Sequence, residues 1–137
     1  MSILIFEHDE MCGPGRLGAV LLGYGYRLNI RKLWAGESPP PDLDDVEAVV
    51  CLSSPGSVAA LSDAPWGKAE SDLIRTAHAR DLPVIGVGTG SLLVALAIGG
   101  TVEPLADGRR QVGWLESRMA FPCTVDTTLS GQPWRTM

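Results

Sequence analysis

Leu82-Pro83-Val84-Ile85-Gly86-Val87-Gly88-Thr89-Gly90-Ser91-Leu92-Leu93-Val94-Ala95-Leu96-Ala97 reads as a buried strand that turns sharply into a helix. Val84, Ile85 and Val87 are strand formers, three alternating glycines permit a tight reversal, and the apolar run that follows suits a helix. A strand that breaks directly into a helix lifts one residue clear of the sheet. Enzymes with such an elbow place a nucleophile there.

The rest of the chain alternates in the same way. Ile3 to Phe6 is a short strand leading into the polar Glu7-His8-Asp9-Glu10. Pro14, Leu17, Val20, Leu21 and Leu22 predict a short helix with Gly23 and Gly25 as breakers behind it, and Leu28 and Ile30 alternate as a second strand. Ala35 to Asp42 contains Pro39-Pro40-Pro41 and is a loop, because proline lacks a donor and fixes φ. Val46 to Leu52 forms a third strand, closed by the turn cluster Ser53-Ser54-Pro55-Gly56-Ser57. Asp63 and Pro65 stand where a cap and a first-turn proline belong, before Trp66, Ala69, Leu73, Ile74 and Ala77 at helical spacing. The elbow follows, then a helix ended by Gly99-Gly100, then a less periodic tail in which Gln111 to Leu115 is a further strand candidate. No internal repeat is present.

Strands alternating with helices predict an α/β domain with a doubly wound, mostly parallel sheet and right-handed crossovers. In such folds ligands sit beyond the carboxyl ends of the strands. That edge carries His8, the Ser53 to Gly56 loop and Gly88.

The chain has 137 residues, 45% of them hydrophobic, which is enough for the core of one domain spanning 1–137. A net charge of -5, with Lys and Arg scattered, supplies no footprint for nucleic acid or an anionic membrane. Cys12, Cys51 and Cys123 are odd in number and widely spaced, with no Cys-x-x-Cys pair, which favours reduced thiols over a disulfide framework or zinc site. No metal or cofactor is expected. The N-terminus enters a strand without a basic leader, and the uncharged run Leu82 to Thr101 is broken by proline and glycines. A cytoplasmic location is therefore expected, without a signal peptide or membrane span.

An ordered set of short motifs runs through the chain: His8-Asp9, Gly13-Pro14-Gly15-Arg16-Leu17-Gly18, Pro41-Asp42-Leu43-Asp44-Asp45, Pro65-Trp66-x-x-x-Glu70, the elbow, Gly99-Gly100 and Val112-Gly113-Trp114. With these it resembles the class I glutamine amidotransferases, and among them the stand-alone proteins related to the glutaminase domain of GMP synthase. The resemblance implies a flavodoxin-like class I amidotransferase fold. It also implies a site in which an elbow cysteine attacks glutamine, a histidine oriented by a glutamate serves as base, and backbone donors hold the oxyanion.

Against that pattern, Gly-Ile/Val-Cys-x-Gly-x-Gln at the elbow, this chain carries Gly88 at the cysteine position and Leu92 at the glutamine position. The family's Gly-Gly-Pro oxyanion loop is replaced by Ser53-Ser54-Pro55, which places the hole in question. The segment that bears the catalytic His and Glu in the family has no counterpart here, since no histidine follows residue 78. The expected fold is thus one lacking its C-terminal part.

Thr89 or Ser91 as a substitute nucleophile lacks a base, so turn and capping roles are preferred. Cys51 lies in an apolar strand and reads as a small buried hydrophobe. His8 lies where it could touch a ligand, although a structural or solvent-facing role is preferred. Gly86-x-Gly88-x-Gly90 resembles a dinucleotide loop only superficially, its third glycine being one place early.

The sequence thus points to an amidotransferase-like domain without glutaminase activity, an interaction or binding module. Ser53, Ser54, Pro55, Gly88, Thr89 and His8 are its candidate ligand-binding residues, for a glutamine-like or other small molecule. The alternatives are a nucleotide or small-molecule binder at the Gly88 elbow, a non-functional fragment, and last an active hydrolase. Apolar surface at Val84 to Ile98 and Val112 to Trp114 leads us to expect a homodimer or a protein partner.

Overall fold

In a computed structural model, the structure describes residues 1–105 together with the backbone of 115–117 and 134–136. The chain divides into two compact units, Met1–Val102 and Glu103–Met137. The second contributes two short strands, β5 (Leu115–Ser117) and β6 (Trp134–Thr136), paired antiparallel with Glu116 opposite Arg135. Of the strand expected at Gln111 to Leu115, residues 111–114 lie outside the described residues, as do Val112-Gly113-Trp114 and Cys123.

The first unit holds β1 (Ser2–Glu7), α1 (Gly15–Gly23), β2 (Leu28–Lys32), β3 (Val46–Cys51), α2 (Val58–Ser62), α3 (Gly67–Ala79), β4 (Val84–Gly86) and α4 (Thr89–Ala97). Its four strands form one parallel sheet in the order β2-β1-β3-β4. Alternation along β1 and β3 sends side chains to both faces, and each face has its own core. Leu4, Phe6, Val49 and Cys51 pack with Leu73, Ile74 and Ala77 of α3 and Leu93 and Ala97 of α4. Ile3, Ile5, Val50 and Leu52 pack on the other face with Leu17 and Leu21 of α1. Helices on both faces of a parallel sheet are the doubly wound α/β architecture that the alternation of elements predicts.

One boundary differs from the sequence reading. Asp63 does not cap α3; it closes α2, a short helix opened by Ser57, whose Oγ accepts from the Ala60 N–H at 3.2 Å. α3 begins only at Gly67, after Trp66, so Pro65 precedes its first turn. The cause is packing, since a Cβ at Gly67 would approach the Ser62 carbonyl oxygen to 2.5 Å, and the helix starts where the chain can lie against the end of α2.

β4 and α4 meet by a similar close approach. A Cβ on Gly90 would collide with the Cys51 carbonyl oxygen and come within 2.6 Å of that of Leu52. We expect Gly90→Ala to cost about 1–3 kcal/mol in urea unfolding, the usual penalty for overpacking. Gly23→Ala, at a helical position with open space around it, serves as the control and should gain or hold stability. Equal stability of both variants would contradict the close packing of the elbow.

Candidate functional site

The chain enters the elbow from β4 and leaves it in α4 within three residues. The Val87 N–H donates to the Cys51 carbonyl at 2.9 Å, as the sheet's last bond, and α4 starts at Thr89. Between them Gly88 takes φ 56° and ψ −124°, a conformation that residues with a side chain rarely adopt. This is the raised position that the sequence predicts.

The Ser53 to Pro55 loop lies directly beside it. The Thr89 N–H points to Ser53 Oγ at 3.4 Å, and Thr89 Oγ1 donates to the Ser54 carbonyl at 2.7 Å. Ser91 Oγ donates back to the Gly88 carbonyl at 2.7 Å, an ordinary first-turn contact. Ser53, Ser54, Gly88 and Thr89 are therefore one cluster. The hydroxyls of Thr89 and Ser91 are spent on backbone carbonyls.

His8 is placed elsewhere, at the carboxyl end of β1, and is buried. Its Nδ1 lies 2.7 Å from the Leu52 carbonyl, so Nδ1 must carry a proton and donate. Its Nε2 lies 2.9 and 3.0 Å from the two oxygens of Glu70, a carboxylate of α3 with no exposure at all. The imidazole and the carboxylate are thus paired with each other. Trp66 covers the ring, with centroids 5.2 Å apart and planes tilted by 37°. Both ring nitrogens are occupied by protein, so His8 presents none to a ligand.

Cys51 completes this polar centre. Burial, followed by the charge of Glu70 and a hydrogen bond to it, pushes the Cys51 thiol well above its ordinary value. The thiol is a protonated, inert group. Glu70 itself was not singled out as functional in the sequence, although a signal existed: it shares the face of Leu73, Ile74 and Ala77, where a solvated carboxylate does not belong.

Among the described residues no cluster of three or more His, Cys, Asp or Glu could hold a metal ion, and no helix is long and apolar enough to cross a membrane. A cavity of about 340 Å³ opens between Leu33, Trp34, Pro39, Pro65 and Trp66. None of the six candidate ligand residues lines it.

No family model matches the chain, and no curated protein matches it significantly. Solved structures do. A glutamine amidotransferase from Methylobacillus flagellatus is 28% identical, with a TM-score of 0.77 over 84% of this chain and 45% of the other. A glutamine amidotransferase from Thermotoga maritima is 18% identical, with a TM-score of 0.81 over 98% of this chain and 58% of the other, and bears on the fold alone. The chain spans about half the length of these proteins.

Two outcomes are expected from this geometry. His8→Leu leaves the Glu70 carboxylate buried without its partner and should cost about 3–5 kcal/mol in denaturant unfolding, whereas a loss below about 1 kcal/mol would mean the pair is not buried as described. In native protein treated with iodoacetamide and mapped by peptide mass, Cys51 should stay unmodified until denaturant is added. Labelling of Cys51 as fast as that of the partly exposed Cys12 would contradict it.

Proposed function

We propose, for this chain of the class I glutamine amidotransferase-like family, that it does not hydrolyse glutamine and serves as a non-hydrolytic binding or interaction module. The observation that carries this reading is Gly88 at the raised position of the elbow. Amide hydrolysis through an acyl-enzyme needs an atom that attacks the carbonyl and a base that keeps it reactive. Gly88 supplies no atom.

The neighbouring groups do not replace it. His8 has its Nδ1 on the Leu52 carbonyl and its Nε2 on Glu70. The Cys51 thiol is held protonated in the core. The Thr89 and Ser91 hydroxyls donate to backbone. A protein without hydrolytic chemistry acts through what it binds, and two features support association. β4 lies at the edge of the four-stranded sheet, and Ile85, Val87, Leu92, Leu96 and Ile98 on β4, the elbow and α4 are exposed. The proposed partner is a second copy of the chain or another protein, in a cytoplasmic setting.

Purified protein given millimolar glutamine should release no ammonia above a protein-free control. Gly88→Cys alone should not create turnover, because a thiol at its ordinary pKa of about 8.5 is mostly protonated at neutral pH and has no acid for the leaving ammonia. Release by the unaltered protein that saturates with glutamine would overturn the proposal.

A further inference from the structure

A side chain at position 88 would run into Ser53 as it stands. A Cβ built on Gly88 collides with Ser53 Oγ and lies 2.9 Å from Ser53 Cβ and 3.9 Å from Ser53 Cα. The three nearest atoms therefore all belong to one residue. From the other side, the Ser53 hydroxyl is directed at the Thr89 N–H, the donor that follows the raised residue. At 3.4 Å that bond is long and weak, so what matters is the volume the hydroxymethyl group fills.

We infer that Ser53 is a plug: it occupies the seat of the side chain that the elbow lacks and covers the first backbone donor of α4. Ser53 and Gly88 form a reciprocal pair, in which the small residue at one position allows the larger one at the other. The loop is locked in this arrangement by Thr89 Oγ1 on the Ser54 carbonyl. Consequently the elbow is closed to a substrate carbonyl or anionic oxygen as long as Ser53 is present, and reopening it requires a change at Ser53 as well as at Gly88. The inference deepens the non-hydrolytic reading and rests on it for the meaning of the site.

A double-mutant cycle on folding equilibria, with Gly88→Ala, Ser53→Gly and the pair, tests the plug. Gly88→Ala brings two penalties, the positive φ and the collision with Ser53, and only the second disappears when Ser53 is removed. Gly88→Ala should therefore lower the folding constant by on the order of tenfold more in the unaltered background than in Ser53→Gly. Losses equal within about twofold would overturn the plug. Should both Gly88→Ala proteins fail to fold, amide hydrogen exchange at Thr89 decides. Exchange in Ser53→Gly at least about tenfold faster than in the unaltered protein supports the plug, and an unchanged rate overturns it. Ammonia release by the unaltered protein would sink the non-hydrolytic reading and leave the coupling intact, so the two failures are distinguishable.

Discussion

At the elbow the backbone of α4 lies against the carbonyl end of β3 with no side chain between them, and the placement of Gly88, Thr89 and Ser53 follows from that contact. Gly90 makes it possible, since any Cβ there meets the carbonyls of Cys51 and Leu52. Because the helix begins so close to the strand, the chain must reverse within one residue, and Gly88 absorbs the reversal at positive φ. The same proximity brings the Ser53 to Pro55 loop, the direct continuation of β3, beside Thr89. An elbow of this kind is maintained by packing between two backbones. It does not depend on the chemistry carried at its apex.

A second constraint acts one strand away. In the order β2-β1-β3-β4 the crossovers leave β1 and β3 toward opposite faces, α1 on one core and α3 on the other. Between the ends of β1 and β3 such a sheet opens a crevice, the usual place for a ligand. Here His8 spans it, joining the end of β1 to Leu52 after β3 and to Glu70 in α3. Buried polar groups of this sort destabilise unless each is paired. The pairing is complete for both ring nitrogens.

The arrangement of the sheet was legible because periodicity and glycine punctuation act locally. Val84 to Ala97 announced the elbow and its tight reversal, and alternation of elements announced helices on both faces. What was hidden depends on contacts between segments distant in sequence. The start of α3 was misplaced because Asp63 and Pro65 satisfy a local capping pattern, whereas the fit of Gly67 against Ser62 decides the boundary. His8 reads as a polar residue at a ligand-bearing edge, and only the approach of Glu70, 62 residues away, makes it a core residue. Ser53 read as a departure from an oxyanion loop. Its relation to Gly88, 35 positions later, follows from the register of β3 against β4.

Stability and hydrolysis make different demands on this elbow. A nucleophile with a side chain at positive φ stores about 1–3 kcal/mol of strain, which a catalytic site tolerates because the raised atom is needed for reaction. With glycine at the apex that strain largely vanishes, but removing the side chain would leave a void beside the loop, and voids destabilise in proportion to their volume. The Ser53 hydroxymethyl group fills that space and brings its own acceptor toward the otherwise unbonded N–H of Thr89. Gly88 and Ser53 thus solve the same packing problem together, and each is more favourable in the presence of the other. A relaxed apex and a filled seat are what the physics of the fold favours when stability alone is counted.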